Sequence, residues 1–156
     1  MIKIAPSILS ADFSAMGQAV ELMQASGADY IHCDVMDGVF VKNITFGPKM
    51  IADIRRHTSL PLDAHLMIVH PEKYVGAFAE AGADIITVHA EACGDTLSDT
   101  LKLIRAAGKK CGAVINPDTP VSAVASVASF RFRPGVARLW NGASGLFFAD
   151  LFEPAS

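Results

Sequence analysis

The sequence predicts an α/β chain in which strand–helix units repeat around a parallel sheet. Three observations predict it: a repeated glycine motif, short β-rich apolar runs, and helical periodicity between those runs.

The repeat sets the frame. Ser26-Gly27-Ala28-Asp29-Tyr30-Ile31 resembles Ala81-Gly82-Ala83-Asp84-Ile85-Ile86, and Ala107-Gly108-Lys109-Lys110-Cys111 is a looser copy. In each, Gly closes a helical pattern and an apolar run follows, as a left-handed helix cap before a strand requires. Gly82 and Gly108 lie 26 residues apart, and Gly27 and Gly82 lie 55 apart, about two such periods. That period suits a strand–helix unit.

The apolar runs place strands at residues 2–8, 30–35, 62–68, 85–89 and 111–115. Phe13, Met16, Val20 and Met23 recur at spacings of three and four, the signature of one buried helix face. Pro48 and Pro71 open the next two helices, at a position that tolerates a missing N–H. Ile51 and Ile54 continue the second helix, and Val75 and Phe78 the third. Leu97, Leu101 and Ile104 mark the fourth, and a fifth starts near Pro120-Val121.

Alternating strands and helices imply a parallel sheet with right-handed crossovers. The strands are apolar nearly throughout, as expected when helices cover the sheet. An open doubly wound sheet and a closed (β/α)₈ barrel both fit. No GxGxxG follows the first strand, which weakens the dinucleotide-binding version. Five units amount to roughly five-eighths of a barrel.

The pattern stops after Ala128. Residues 129–156 hold six of the twelve aromatics and three of the six Arg, with no Lys and no strand-then-helix rhythm. The expected organisation is therefore five β/α units over residues 1–128 and an atypical tail over 129–156.

Composition narrows the function. The chain has 156 residues, 51% hydrophobic and 19% charged, which is globular. A net charge of -3 gives no electrostatic footprint for nucleic acid. No apolar run approaches a membrane span, and the N-terminus lacks the apolar core of a signal peptide. Three Cys without CxxC spacing fit a reduced, cytoplasmic protein.

Polar clusters fall at the C-terminal ends of proposed strands, where parallel α/β folds place their sites. They are Pro6-Ser7, then His32-Cys33-Asp34-Val35-Met36-Asp37-Gly38, then Asp63-Ala64-His65-Leu66-Met67. Side chains alternate along a strand, so His32 and Asp34 share one face and Cys33 points into the helix layer. Taken singly, His32 and His65 read as strand-end histidines bonded to neighbours. Together with Asp34, at matched ends of adjacent strands, they read as three ligands of a catalytic divalent metal. Met36 and Met67 fall beside that site, as core filling or as its lining. His89 either lines the same mouth or is structural. Asp37-Gly38 reads as a turn, His70 as the lead into a helix, and His57 as exposed.

These residues resemble a known family. Residues 5–13, APSILSADF, resemble the opening of ribulose-phosphate 3-epimerase. So do Gly27–His32 running into Asp34–Gly38, then Asn43–Pro48, His65–Met67, Thr87–Ala92 and Ile115–Pro120, in that order. The resemblance covers roughly residues 1–128. It implies a (β/α)₈ TIM barrel, here reduced to about five units. It also implies a metal-dependent epimerase of the pentose phosphate pathway that interconverts D-ribulose 5-phosphate and D-xylulose 5-phosphate. By resemblance His32, Asp34 and His65 are metal ligands and Asp34 is also the general base. Ser7 and His65 contact substrate, and Met36 and Met67 line the reacting centre. A site of two His and carboxylates accepts zinc, iron, manganese or cobalt.

The family's second acid/base, an Asp on a later strand, has no match in residues 129–156. Asp150 stands there in the unlike context Phe148-Ala149-Asp150-Leu151. The phosphate-binding glycine loops are unmatched too. A catalytically incomplete epimerase fragment, or an epimerase of a related ketose phosphate, is therefore the alternative. Five strands do not close a barrel, and free sheet edges invite association. A homo-oligomer or self-associating chain is expected, with a sugar phosphate as substrate and no nucleic-acid or membrane partner.

Overall fold

The computed structural model of the chain describes residues 3–127 together with the short segments Val136–Arg138 and Phe147–Ala149. Four parallel strands form the sheet: β1 (Ile31–Met36), β2 (Leu62–Met67), β3 (Ile85–His89) and β4 (Lys110–Val114). Their spatial order is β1-β2-β3-β4, which is also their sequence order. Each lies within about a residue of its expected place.

The expected first strand is the exception. Residues 4–7 do run parallel to β1: the N–H of Asp29 donates to the Ile4 carbonyl at 2.8 Å, and that of His32 to the Pro6 carbonyl at 2.9 Å. A single bridge joins Ser7 to His32. Pro6 has no N–H to return, so no continuous ladder forms. Ser7 then caps a short 3₁₀ turn, Ile8–Ser10, where a strand was expected to continue.

The helices are α1 (Met16–Ala25), α2 (Pro48–Ile54), α3 (Val75–Glu80), α4 (Ala90–Cys93) and α5 (Leu97–Ala106). Pro48 opens α2 as expected. Pro71 instead opens a 3₁₀ turn, and α3 begins four residues later. Val121–Val127 is 3₁₀ and not a fifth α-helix. Phe13 leaves the buried stripe. It sits in the 3₁₀ turn Phe13–Ala15, 41% exposed, edge-on to Phe46 at 5.6 Å. Three residues per turn there rotate it off the face carrying Met16 and Val20.

The glycine repeat is structural. Gly27, Gly82 and Gly108 have φ of 87°, 103° and 75°. In each copy the next N–H reaches back five residues: Ala28 to Met23 at 3.2 Å, Ala83 to Phe78 at 3.1 Å, Lys109 to Ile104 at 3.2 Å. This is the bonding of a Schellman cap. In the two full copies the Asp then ties down a neighbouring segment. Asp29 accepts from the Ile4 N–H at 2.9 Å, and Asp84 from the Leu62 N–H at 2.8 Å. Lys110 stands at that position in the third copy, which makes it the looser one.

Strand alternation sorts the sheet into two faces. Cys33, Val35, Leu62, Ala64, Leu66, Ile86, Val88, Cys111 and Ala113 join Ile51, Ile54, Phe78, Leu101 and Ile104 in the core between sheet and helices. The opposite face carries His32, Asp34, Met36, Asp63, His65, Met67, Thr87 and His89, all buried. Within 129–156, Val136–Arg138 and Phe147–Ala149 pair antiparallel as a separate ribbon. Asp150 lies outside the described residues.

Candidate metal centre

The β1–β2 register assembles the polar face rung by rung. His32 stands opposite Asp63, Asp34 opposite His65, and Met36 opposite Met67. Because both strands are in phase, all six side chains share the face turned away from the helix core.

One carboxylate oxygen gathers the centre. His32 Nε2 and His65 Nδ1 each lie 3.0 Å from Asp34 Oδ1. Ser7 Oγ donates to Asp34 Oδ2 at 2.5 Å. The ligand atoms of His32, Asp34 and His65 all lie within 4.8 Å of one another. The second nitrogen of each histidine is also engaged. His32 Nδ1 lies 3.0 Å from Asp63 Oδ2, and His65 Nε2 lies 2.9 Å from His89 Nε2. Thr87 Oγ1 donates to Asp63 Oδ1 at 3.3 Å.

Burial alone pushes the Asp34 carboxyl up. The hydrogen bonds from His32 and His65 outweigh it and hold the group well below the usual carboxylate range. Burial, and then the charge of His65, bring His89 down to about 4 against the pull of Glu91. Burial raises Glu91, but bonds from Thr119 and the Asn116 N–H bring it below its ordinary value.

The donor set fits a divalent metal. Two imidazole nitrogens and one carboxylate face one another on the buried polar face of the sheet, and each imidazole is braced through its other nitrogen. Three protein ligands are what an open, catalytic site uses.

The structure thus brings His32, Asp34 and His65 together, with Ser7 on the carboxylate and Met36 and Met67 at the adjoining rung. Ser7 divides its hydroxyl: the oxygen accepts from the Leu9 N–H at 3.2 Å while the proton goes to Asp34. Cys33 packs in the core on the other face. His57 pairs with exposed Glu21 at 2.7 Å, and His70 leads into the turn at Pro71, both apart from the centre. Asp37 is the turn residue expected, accepting from the N–H groups of Val39 and Phe40 at 2.8 Å. Sequence reasoning assigned no role to Asp63, Thr87 or Glu91. The signal for Asp63 was its two-residue spacing from His65. Glu91 lies past the strand end, where that spacing no longer applies.

Comparison with known proteins decides the class. Residues 3–130 match the Ribulose-phosphate 3 epimerase family. The chain belongs to the ribulose-phosphate 3-epimerase family. A ribulose-phosphate 3-epimerase of Bacillus subtilis (strain 168) is 56% identical over 127 residues, which is 81% of this chain and 58% of the relative. That of Synechocystis is 58% identical over 121 residues, 77% of this chain and 53% of the relative. The chloroplastic ribulose-5-phosphate-3-epimerase of Arabidopsis thaliana is 50% identical over 124 residues, 79% of this chain and 44% of the relative. The chain therefore spans about half the length of the curated ribulose-phosphate 3-epimerases it matches.

Solved structures agree on the fold. An orotidine 5'-monophosphate decarboxylase from Methanocaldococcus jannaschii matches with a TM-score of 0.58 at 17% identity, over 80% of this chain and 56% of that one. An N-acetylmannosamine-6-phosphate 2-epimerase from Clostridium perfringens gives 0.53 at 19%, over 74% and 52%. The ribulose-phosphate 3-epimerase family chain is thus a TIM-barrel-type α/β fold. Among its described residues, no helix is long and apolar enough to cross a membrane.

Proposed function

We propose that this chain serves the metal-dependent interconversion of D-ribulose 5-phosphate and D-xylulose 5-phosphate. The observation that carries the reading is the convergence of His32 Nε2 and His65 Nδ1 on Asp34 Oδ1 in a member of this family. Inverting C3 requires removing a proton next to a ketone. Asp34, held as a carboxylate, takes the C3 proton, and the C–H electron pair moves toward the C2 carbonyl to give an enediolate. Return of a proton to the opposite face of C3 gives the epimer. A divalent ion held by His32, Asp34 and His65 would supply Lewis-acid stabilisation of the charge developing on the substrate oxygens. Ser7 steadies Asp34 through Oδ2. Met36 and Met67 offer apolar walls that exclude water without stray protons.

Zinc, iron, manganese or cobalt all suit the two-imidazole, carboxylate donor set. Cytoplasmic residence and self-association belong to the same reading. The cysteines are free and buried, and Val39 and Ile44 stand 73% and 76% exposed beside the β1 end.

A second reading has its own support. Among the described residues the cluster holds one carboxylate ligand, Asp34. On that reading the chain holds metal but lacks the second proton donor. Incubation with zinc and ribulose 5-phosphate in deuterated water, followed at C3 by NMR, separates the two, with Asp34→Asn as control. Deuterated xylulose 5-phosphate, absent in the control, supports epimerisation. Deuterium entering ribulose 5-phosphate alone supports the second reading. No exchange above the control overturns the assignment of Asp34 as base.

A further inference from the structure

His32 and His65 each bind metal in the reading above only if the correct ring nitrogen carries the lone pair. Something must choose the tautomer. For His65 the choice runs outward through β3.

Glu91 closes the chain. Its Oε1 accepts from the Asn116 N–H at 2.6 Å, and its Oε2 stands 3.4 Å from His89 Nδ1. A carboxylate only accepts, so His89 Nδ1 carries the proton. In a neutral imidazole the other nitrogen is then an acceptor. That nitrogen, His89 Nε2, lies 2.9 Å from His65 Nε2, so His65 donates through Nε2. A divalent ion held there would displace the proton that His65 Nδ1 shares with Asp34 Oδ1 at 3.0 Å, and with the Nε2 proton kept for His89 the lone pair of His65 is left on Nδ1. The reversed tautomer would set two lone pairs against each other between the histidines and point a proton at the metal centre. Packing fixes the intermediate ring. His89 is 2% exposed, with the Phe40 ring at 4.8 Å and the His65 ring stacked at 5.0 Å and 19°.

We propose that His89 and Glu91 are positioning residues that hold His65 in the tautomer whose Nδ1 ligates the metal. The inference rests on the metal reading and deepens it.

Zinc titration of the full chain, with a competing chromophoric chelator, tests it alongside ¹⁵N NMR of the histidine rings. The zinc-loaded wild type is expected to show the His65 proton on Nε2. His89→Phe and Glu91→Leu are expected to weaken zinc binding about 10- to 100-fold. Glu91→Gln keeps an accepting oxygen and is expected to lose less than Glu91→Leu. A zinc-loaded wild type with the proton on His65 Nδ1 overturns the proposal. So does zinc binding within about twofold of wild type in both His89→Phe and Glu91→Leu. If His89→Phe fails to fold, the wild-type spectrum and the Glu91 series still decide. No zinc binding by the wild type overturns the metal reading, and this proposal with it.

Discussion

Asp34 and His65 are register partners across the β1–β2 ladder, and their side chains meet there, with His65 Nδ1 3.0 Å from Asp34 Oδ1. A parallel ladder slip of one residue would turn His65 to the helix side and leave a buried carboxylate without it. The centre is therefore as well fixed as the strand pairing, which the apolar face of the same strands enforces.

Gly112 guards the bracing of His32. It pairs with Thr87 across β3 and β4, and a Cβ there would stand 2.8 Å from Thr87 Oγ1. Thr87 would have to leave Asp63. Gly112→Ala is expected to lower stability by about 1–3 kcal/mol in urea unfolding. Adding Thr87→Ala is expected to recover part of that loss. Strictly additive losses would contradict the steric account.

The repeated Asp is a strand anchor. Asp84 accepts from the N–H of fully buried Leu62 at 2.8 Å as well as from Arg55 at 2.9 Å. Asp84→Ala leaves that N–H unmet and is expected to cost about 1–3 kcal/mol. Asp53→Ala, on an exposed α2 pair with Arg56, is expected to cost under about 0.5 kcal/mol. Equal midpoints for the two variants would show that the ion pair, and not the backbone anchor, explains Asp84.

The cysteines are expected to be inert. Burial pushes the Cys93 and Cys111 thiols up to about 11 and raises Cys33 well above its ordinary value. A raised pKa means little thiolate at pH 8, since the thiolate is the reactive form. Native chain should therefore resist a thiol-specific disulfide reagent at that pH, and unfolded chain should react at all three Cys. Rapid labelling of the native chain would refute the burial.

The sequence showed the parallel order and the clustering of His32, Asp34 and His65 because both rest on short-range periods within each strand–helix unit. Gly27, Gly82 and Gly108 marked helix ends because only a left-handed cap asks for Gly there. The spacing of two put His32 with Asp34 on one face. What local pattern missed depends on tertiary contact. Pro6 leaves a strand-like segment without a ladder, and Phe13 sits in a 3₁₀ turn that breaks the helical period. Asp63 and Thr87 find their partners across strands, through register, and Glu91 reaches His89 and the Asn116 N–H from α4, beyond the strand end. Residues 129–156 gave no periodic signal, and their short ribbon, residues 136–138 with 147–149, was not legible.

The central claim is that His32, Asp34 and His65 hold one divalent metal. A crystal structure of the zinc-soaked chain, with anomalous data at the zinc edge, tests it most directly. The account predicts one peak about 2.0–2.2 Å from His32 Nε2, His65 Nδ1 and an Asp34 carboxylate oxygen. A strongest peak elsewhere, or no peak within bonding distance of these three atoms, would contradict it.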